Sequence, residues 1–487
     1  MSEILLTHSY MLDLDPKQKR IGQPWAPLGT MYAASVLKAD GHSIHFWDPT
    51  FLHDPDSVRQ ALNVEKPALL VIYDDGFSYL SKMCLSNMRD VALRMAGIGK
   101  ECGATVIICS SDASDNYELY LRNNADFVIL GEGELTLKEL ANTLLTGTGA
   151  SAEEIKGCAF LKDGKIKVNP RRELISDPDI LPFPSWDMLN VEQYRKTWRS
   201  RNRFFSMNMV TTRGCPYSCI WCAKPIYGNH YSSRSPLDVV QEMAYLQNTF
   251  KPDHIWFADD IFGLKPGWLV EFARLAEIHQ VHLPFSIQSR VDLLLSGNQI
   301  QALAKAGCRK VWLGVESGSQ KILDAMQKGI TVEHVRTVSP LIRQAGIEQA
   351  FFIQLGFPGE TKADIQKTIR LLVDLMPDDI GISVTYPLPG TKFYDSVSKS
   401  IKEKTNWKDS DDLSILFNST NSPGYYKLMH RYIHKYFRYK QSVYYLKAIF
   451  KSPAGITYSR LRRIVLLPYY LFFSIAFQII LKTRENG

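Results

Sequence analysis

Runs of apolar residues alternate with helical patterns over the first 148 residues. The apolar runs are EILLTHSY, HSIHFWD, ALLVIYD, TVIICS and FVILGE, and amphipathic stretches such as PLGTMYAASVLKADG separate them. Alternation of this kind predicts a parallel sheet that is covered by helices on both faces. The sequence therefore predicts an α/β fold that begins with a doubly wound, Rossmann-like domain over residues 1–148.

Ligands of such a sheet bind at the carboxyl ends of its strands. The polar residues at those ends are 48–50, 73–76, 110–114 and 131–134. The last group, GEGE, is a glycine turn that opens a helix, so its amides could face a ligand, although an ordinary strand-to-helix turn is the simpler interpretation. No GxGxxG follows the first strand, which counts against an ordinary dinucleotide site.

Residues 149–205 have the composition of a linker. CAFLKDGKIKV predicts a small hairpin around Asp163-Gly164. The prolines of LISDPDILPFPSW exclude a continuous helix or strand over that stretch.

The alternation returns over residues 206–400. Candidate strands are FSMNMVTTR, HIWFADD, PFSIQSR, KVWLGVES, QAFFIQLGF and IGISVTYP, and a helical segment follows each one. Six such units with polar residues at the strand ends predict a partial (β/α)6 barrel, whose chemistry lies at the carboxyl ends of the strands.

Three cysteines, Cys215, Cys219 and Cys222, follow the first barrel strand in the sequence CPYSCIWC. A structural zinc site takes four ligands, usually as two CxxC-like pairs, and the chain has no second pair. An iron–sulfur cluster also normally takes four thiolates, so three would leave one iron with open coordination positions. The spacing therefore indicates a cluster that binds a substrate or cosubstrate directly.

The remaining composition limits the class of protein. With 487 residues and 45% hydrophobic content, the chain can build two or three domains with substantial cores. Eight cysteines in a chain of this length do not form a disulfide scaffold. The N-terminus, MSEILLTHSYMLDLD, lacks the features of a signal peptide, so we expect a reduced, cytoplasmic location.

The C-terminal region, residues 401–487, carries most of the positive charge. Ten Lys and Arg and no acidic residue lie between Gly424 and Arg463, and Lys482 and Arg484 add two more. Basic residues interleaved with Tyr and Phe predict a basic amphipathic helix. The uncharged run Ile464–Leu481 is a marginal transmembrane candidate, and its proline and polar residues favour a helix that lies on a membrane or packs on the barrel.

Membrane association is the favoured interpretation of this tail, ahead of internal packing and of nucleic-acid binding, which we do not expect. An anionic membrane surface would attract the basic run. The protein would then be peripheral on the inner face of the membrane, and its small-molecule substrate would be lipophilic.

CPYSCIWC closely resembles the cluster-binding motif of the radical S-adenosylmethionine (SAM) superfamily. The resemblance implies that the three cysteines hold a 4Fe-4S cluster whose open iron binds S-adenosylmethionine. WFADDIFG, FSIQSRVDLL and VWLGVESGSQKILDAMQKG are similar to the strand ends that bind S-adenosylmethionine in this family. The residues that this resemblance implies for S-adenosylmethionine are Trp221, Asp259, Asp260, Gln288, Arg290 and Glu316.

A doubly wound domain before the barrel is typical of the cobalamin-binding subgroup of that superfamily, and the resemblance covers residues 3–396. It implies cobalamin contacts from Ser110, Ser111, Glu132 and Gly133. No DxHxxG is present, which favours cobalamin without a histidine lower ligand. The sequence SSDAS stands where many relatives have Gly-Gly-Pro-His.

The function implied by the resemblance is reductive cleavage of S-adenosylmethionine and C-methylation of an unactivated carbon. Such an enzyme would be oxygen-sensitive and would need an electron donor such as ferredoxin or flavodoxin. The alternative is an oxidative cyclase or hydroxylating enzyme of the anaerobic magnesium-protoporphyrin monomethyl ester cyclase type. A hypothesis from another class is a non-catalytic cobalamin or iron–sulfur sensor.

Overall fold

The computed structural model describes residues 2–222, 226–401, 404, 406–451 and 457–483. Arg484, which was counted among the basic residues of the tail, lies outside the described residues. Two sheets of five or more strands form within the described ranges, one for each alternating pattern in the sequence.

The first sheet has seven strands in the order β2-β1-β3-β4-β5-β6-β7. They are β1 (Ile4–Thr7), β2 (Ile44–Phe46), β3 (Leu69–Tyr73), β4 (Thr105–Cys109), β5 (Phe127–Ile129), β6 (Cys158–Lys162) and β7 (Lys165–Val168). The first five are parallel, and the residues of β1 and β3 are buried throughout, as expected of strands covered on both faces. The predicted doubly wound arrangement is confirmed.

Nine helices accompany this sheet and the segment after it in the described residues. They are α1 (Pro16–Ile21), α2 (Leu28–Ala39), α3 (Val58–Glu65), α4 (Tyr79–Lys82), α5 (Ser86–Glu101), α6 (Ser111–Asp115), α7 (Tyr117–Arg122), α8 (Glu134–Thr146) and α9 (Val191–Arg201). One apolar core lies on each face of the sheet.

The predicted hairpin is formed by β6 and β7. Asp163 and Gly164 both have positive φ, 50° and 73°, as a two-residue turn that matches the strand twist requires. The sequence placed this hairpin in a linker, but β6 pairs antiparallel with β5 and so extends the first sheet. The hairpin covers an edge whose backbone groups would otherwise be unpaired.

The second sheet has six parallel strands in the order β15-β14-β13-β12-β11-β8. Together with a two-stranded ribbon of β9 and β10, the strands are β8 (Ser206–Met209), β9 (Thr212–Arg213), β10 (Ser232–Ser233), β11 (His254–Phe257), β12 (Phe285–Ser289), β13 (Cys308–Glu316), β14 (Glu348–Leu355) and β15 (Asp379–Val384). Each of the six predicted strands is present in this sheet, which forms the predicted partial barrel.

Eight helices connect or follow these strands as far as residue 397. They are α10 (Pro236–Thr249), α11 (Trp268–Ile278), α12 (Val291–Leu294), α13 (Gln299–Lys305), α14 (Gln320–Ala325), α15 (Val332–Gln344), α16 (Lys362–Leu375) and α17 (Lys392–Val397). Short 3-10 turns occur at Leu12–Leu14, Pro55–Ser57, Pro178–Ile180, Trp186–Met188 and Ser398–Ser400.

The C-terminal region contains three helices, α18 (Pro423–Lys451), α19 (Tyr458–Val465) and α20 (Leu467–Thr483). The predicted basic helix is therefore confirmed as α18, which covers the β15 edge of the partial barrel. Arg438 pairs there with Asp379, and Gln441 Nε2 donates to the carbonyl of Pro377 at 2.8 Å.

The uncharged run Ile464–Leu481 is divided between two helices. The break lies just before Pro468, which has no N–H to donate and is tolerated in the first turn of a helix but not inside one. In the described part of the chain, no single helix has the length and hydropathy to cross a membrane. The helices α19 and α20 have that length and hydropathy only when taken together, and the pair is bent by 55°.

Candidate active site

The three cysteines of CPYSCIWC lie in the loop between β9 and β10. The N–H of Cys222 donates to the carbonyl of Cys219 at 3.2 Å, which closes a turn between these two. Burial, and after it the nearby Asp260 and Cys215, raise the pKa of the Cys222 thiol to about 12. The described residues include no group of three His, Cys, Asp or Glu side chains close enough to hold a single metal ion. A cluster, in which each thiolate binds a different iron, takes thiolates that lie further apart.

Asp259, just beyond the carboxyl end of β11, anchors the start of the cysteine loop. Its carboxylate accepts hydrogen bonds from the amides of Thr211 and Thr212, both at 2.7 Å, and from their hydroxyls at 2.8 and 3.0 Å. Burial raises the pKa of Asp259 to about 6. The sequence suggested that Asp259 contacts S-adenosylmethionine, whereas its bonds to the loop give it a positioning role.

Gly214 lets the chain turn into the cysteine loop. Its φ is +77°, and a Cβ at this position would lie 2.3 Å from the carbonyl oxygen of His230. A side chain here would therefore separate the two ends of the loop.

Arg290, which follows β12, reaches the cysteine loop with its guanidinium group. Its Nη1 lies 3.9 Å from the sulfur of Cys219, and its Cζ lies 3.7 Å from the centre of the Tyr217 ring. It also donates to Asp292 and to the carbonyl of Lys328, at 3.0 and 2.9 Å. A fixed positive charge is thus held beside one cysteine.

Glu316 and Lys328 form a second charged pair on the same side of the barrel. Lys328 Nζ lies 2.9 Å from a carboxylate oxygen of Glu316, and both side chains are buried. Glu316 has a φ of 62°, in the left-handed region that is strained for a residue with a Cβ, and a register shift marks this end of β13. Lys328 Nζ also lies 5.8 Å from the ring centre of Trp221.

Several buried polar atoms at the carboxyl ends of the barrel strands have no hydrogen-bond partner in the described part of the chain. They are Nε1 of Trp221, Oγ of Ser289 and Oε1 of Gln354. Gln288 is half-buried on β12, beside Ser289. Because buried polar groups are nearly always paired in folded proteins, these atoms mark a position for a polar ligand.

Asp260 connects the barrel to the first domain. Its carboxylate pairs with Nζ of Lys82, the last residue of α4, at 2.8 Å. Burial lowers the pKa of Lys82, but Asp260 and then Cys222 raise it, and the net shift is upward. A lysine of the first domain thus supplies positive charge near the cysteine loop.

Arg213 forms a second connection between the domains. Its guanidinium is buried, pairs with Glu132 and lies 2.8 Å from Glu134, both in the GEGE turn after β5. Glu132 also accepts a hydrogen bond from the amide of Ile175 at 2.6 Å. The sequence assigned Glu132 to cobalamin, but the structure engages its carboxylate with these protein groups.

The other residues predicted for cobalamin lie at the carboxyl edge of the first sheet. The Ser110 hydroxyl caps α6 by accepting from the amide of Ala113 at 2.9 Å, whereas the buried hydroxyl of Ser111 has no partner in the described residues. Gly133 is held at a close approach, since a Cβ there would lie 2.6 Å from the sulfur of Cys109. Ser111 is therefore the predicted residue best placed to bind a ligand at this edge.

A cavity opens along the same edge, where β1, β2 and β3 end. Its lining includes His8, Thr50 and Asp74. His8 uses both ring nitrogens within the protein: Nε2 lies 3.1 Å from Asp48, and Nδ1 accepts from the amide of Tyr10 at 3.2 Å. The only cavity-lining histidine is thus already hydrogen-bonded at both nitrogens.

The structure brings most of the predicted barrel residues together and adds residues that the sequence analysis did not identify. The additions are Lys82, Arg213, Ser289, Lys328 and Gln354. Four of them lie within or next to motifs that the sequence analysis identified, so their proximity to those motifs could have indicated a role in the site. Lys82 lies far from any such motif in the sequence.

The chain matches one protein-family model. Residues 209–372 match the model described as "Radical SAM superfamily". This region includes the three cysteines and the barrel strands β11 to β14, and it begins at the last residue of β8.

Two curated relatives cover most of the chain. A protein of Pyrococcus horikoshii, named as an uncharacterized methyltransferase, is 27% identical over 394 residues, which are 80% of this chain and 82% of that one. The anaerobic magnesium-protoporphyrin IX monomethyl ester cyclase of Rubrivivax gelatinosus is 24% identical over 388 residues, 78% of this chain and 67% of that one.

Two solved structures share the fold. The radical S-adenosylmethionine methyltransferase TsrM of Kitasatospora setae, with cobalamin and a 4Fe-4S cluster bound, has a TM-score of 0.65 at 19% identity, over 82% of this chain and 75% of that one. The cobalamin-dependent enzyme OxsB, with aqua-cobalamin and S-adenosylmethionine bound, has a TM-score of 0.72 at 15% identity, over 99% and 75%.

Proposed function

The chain belongs to the radical SAM superfamily, and on this basis we propose that it is a cobalamin-dependent radical SAM methyltransferase that acts on an unactivated carbon of a small, lipophilic substrate. One observation carries the proposal. Charged side chains of both signs lie beside the three cysteines, and buried polar atoms without a partner among the described residues lie at the same barrel edge, which two ion pairs join to the first domain.

Cys215, Cys219 and Cys222 would hold the cluster. The loop fits this task, because its entry is fixed by Asp259 and no fourth protein ligand is needed when one iron is left for a cosubstrate. When bound, the 4Fe-4S cluster supplies the electron that cleaves S-adenosylmethionine to methionine and a 5′-deoxyadenosyl radical, and cobalamin supplies the methyl group. The chain positions these groups and excludes water.

The surrounding residues fit the zwitterionic end of S-adenosylmethionine. Its carboxylate would meet the cations of Arg290 and Lys328, and its ammonium would meet the carboxylates of Asp260 and Glu316. The Trp221 ring, whose centre lies 5.8 Å from Nζ of Lys328, offers an aromatic surface beside this set. Gln288, with the partnerless atoms of Ser289 and Gln354, offers hydrogen bonds to the ribose and adenine.

Residues 1–148 would form the cobalamin-binding domain. Ser111 offers a hydroxyl for the corrin or its nucleotide tail, and Ser110 and Gly133 shape the edge where it would lie. Glu132 acts indirectly in this proposal, by holding the GEGE turn against Arg213. The hydrogen-bonded ring of His8 favours cobalamin without a histidine ligand from this cavity.

A second candidate function is an oxidative cyclase or hydroxylating enzyme. The cyclase of Rubrivivax gelatinosus supports it, because the alignment covers 78% of this chain and 67% of that one. Methyl transfer is preferred, because both the first relative and the TsrM structure are named as methyltransferases.

We further propose an oxygen-sensitive enzyme that receives electrons from a ferredoxin or flavodoxin. We place it in the cytoplasm, peripheral on the inner face of the membrane. The acid-free sequence from Gly424 to Thr483, rich in Lys, Arg and Tyr, supports a membrane surface as partner.

The test is anaerobic. Purified protein is reconstituted with iron, sulfide and hydroxocobalamin, and dithionite and S-adenosylmethionine are added before 5′-deoxyadenosine is assayed. We expect 5′-deoxyadenosine and one retained cobalamin per chain in the wild type, and no 5′-deoxyadenosine in the Cys215→Ala/Cys219→Ala/Cys222→Ala variant. A wild type that carries a full cluster but forms no 5′-deoxyadenosine would contradict the proposal. Formation of 5′-deoxyadenosine without retained cobalamin would contradict the methyl-transfer step but would still support the radical cleavage of S-adenosylmethionine.

A further inference from the structure

The helix α20 presents two opposite faces. Ser474 and Leu481 are buried, whereas Phe472, Ile475 and Ile479 are exposed. The positions of the exposed residues, three and four apart, place them in one stripe on the side away from the buried face. Phe472 is 65% exposed and Ile479 is 56% exposed, so large apolar side chains face outward along the helix.

The short helix α19 continues this apolar surface. Tyr458, Leu461 and Val465 recur at helical spacing and are all exposed, Val465 by 71%. On the opposite side, Arg463 donates to the carbonyl of Asp378 at 3.0 Å. A surface helix of a globular protein in water normally exposes its arginines to solvent and packs its apolar residues against the core. Here the apolar residues face outward and one arginine is used for packing.

The charged residues of the C-terminal helices are of one sign. No Asp or Glu occurs from residue 424 to residue 483. Arg462 and Lys482 are exposed near the two ends of the apolar surface, and Lys447 is exposed on α18. Tyrosine side chains, which favour the boundary between headgroups and hydrocarbon, are exposed at 444, 458 and 469. This combination complements an anionic lipid surface.

The packing of α20 argues against a span. Lys435 Nζ of α18 donates to the hydroxyl of Tyr469 at 2.9 Å, and Ser442 donates to the carbonyl of Arg463 at 2.8 Å, so α18 and α20 are antiparallel neighbours. A bilayer that enclosed α20 would also enclose this part of α18. Lys427, Arg431 and Lys435 would then lie at hydrocarbon depth, which costs several kcal/mol.

We propose that α19 and α20 lie in the plane of an anionic bilayer, with the stripe Phe472–Ile475–Ile479 and the apolar face of α19 inserted among the headgroups. This deepens the membrane association given under the proposed function and rests on it. The orientation has a consequence for the active site. Tyr426, in the first turn of α18, lies beside Gly356 at the carboxyl end of β14. Because α20 is antiparallel to α18, its last turn lies at the same end of the barrel, so the lipid surface reaches the side where the substrate enters.

Vesicle flotation with the full chain tests the proposal independently of turnover. The vesicles contain phosphatidylcholine alone or with 30% phosphatidylglycerol, and bound protein is washed with alkaline carbonate. We expect binding to the anionic vesicles that is at least tenfold stronger than to neutral ones and is released by carbonate. Phe472→Glu/Ile479→Glu should reduce binding at least tenfold. Val270→Glu, at an exposed apolar position on α11, should leave binding unchanged.

The other outcomes overturn the proposal. Absence of binding to anionic vesicles would remove the lipid partner, and retention after carbonate would indicate a span. A dimer in light scattering that Phe472→Glu/Ile479→Glu converts to a monomer, without vesicle binding, would assign the stripe to a second copy of the chain. Formation of 5′-deoxyadenosine, measured on the same protein, separates failure of this proposal from failure of the enzymatic one.

Discussion

The carboxyl edges of the two sheets differ in how they use polar side chains. At the barrel edge, ionic groups of both signs lie around the cysteine loop, and several buried polar atoms there, among them Nε1 of Trp221 and Oγ of Ser289, have no partner among the described residues. At the edge of the first sheet, the buried carboxylates are occupied by the protein. Asp74 accepts from the amide and hydroxyl of Ser9 at 2.7 and 2.9 Å, and Asp112 pairs with Arg89. In the described residues, the hydroxyl of Ser111 and one carboxylate oxygen of Glu134 are the exceptions.

The difference suggests two modes of binding. A small zwitterion needs charges and hydrogen bonds placed around it, and the barrel edge supplies them. A large macrocycle buries extensive surface and depends more on shape, so an edge with few free polar groups is suited to it. Four substitutions test this comparison, and they are ordered from the largest expected effect to the smallest.

The first substitution removes the support of the cysteine loop. Asp259→Ala deletes the acceptor of four hydrogen bonds to Thr211 and Thr212, a loss on the order of 4 kcal/mol at about 1 kcal/mol for each bond. We expect most of the iron to be lost from the reconstituted protein, as measured by iron content and by absorption of the cluster.

Asp259→Asn is the matched control, because an amide oxygen can still accept from both backbone amides. We expect it to keep most of its iron, and equal loss in both variants would contradict the positioning role. Burial raises the pKa of Asp259 from its usual 3.8 to about 6, so the folded protein binds this proton more tightly than the unfolded chain. Its contribution to stability is full below pH 3.8 and is lost as the pH rises through 6. The melting temperature of the wild type should therefore rise relative to Asp259→Asn as the pH falls from 7 to 4.

The second substitution breaks the ionic link between the two edges. Arg213→Met leaves the buried carboxylates of Glu132 and Glu134 unpaired, and removal of one partner from a buried ion pair costs about 3–5 kcal/mol. We expect a clear drop in the melting temperature of the apoprotein. Arg213→Met/Glu132→Gln/Glu134→Gln should recover part of the loss, because no buried charge is then left unpaired. A single variant as stable as the wild type would show that the link is not structural.

The sequence predicted the strands and the cysteine loop well, because both depend on local pattern. Alternating apolar runs identify β1 to β5, and the spacing of Cys215, Cys219 and Cys222 identifies the loop. The break between α19 and α20 also has a local cause, Pro468, although the uncharged run conceals it.

The contacts that join the domains depend on long-range folding, and the sequence did not reveal them. Lys82 and Asp260 are 178 residues apart, and Arg213 and Glu132 are 81 apart. Nothing near Lys82 in the sequence distinguishes it from the other lysines of the chain. The same difficulty applies to Asp259 and Glu132, which the sequence assigned to ligands and which hydrogen-bond to protein groups in the structure. A buried carboxylate that positions a loop and one that binds a ligand have the same local sequence.

The third substitution removes a positive charge that the first domain supplies to the barrel edge. Lys82 pairs with Asp260 and lies close enough to Cys222 for that cysteine to raise the pKa of the Lys82 ammonium. Without this charge a reduced cluster is less stable, so Lys82→Met should lower the midpoint potential on the order of 50–100 mV, the size expected for one charge about 10 Å away at an effective dielectric constant of 20.

The potential is measured by anaerobic titration followed by electron paramagnetic resonance. Lys82→Arg keeps the charge and should keep the potential within error. Lys66→Met removes a lysine from the end of α3 and serves as the control for net charge. A shift of equal size in Lys66→Met would mean that Lys82 has no specific effect on the cluster.

The fourth substitution tests the edge of the first sheet and has the smallest expected effect. Ser111 has a buried hydroxyl without a partner in the described residues, and one hydrogen bond to cobalamin would contribute about 1 kcal/mol, or roughly fivefold in affinity. We therefore expect Ser111→Ala to weaken cobalamin binding about fivefold in an absorbance titration. Ser339 on α15 also has a buried, partnerless hydroxyl but lies on a barrel helix, so Ser339→Ala should leave the affinity unchanged. If both variants bind cobalamin as the wild type does, the first sheet holds this ligand through its shape and backbone and not through the Ser111 hydroxyl. The two edges would then differ more in their use of polar side chains than the partnerless hydroxyl of Ser111 indicates.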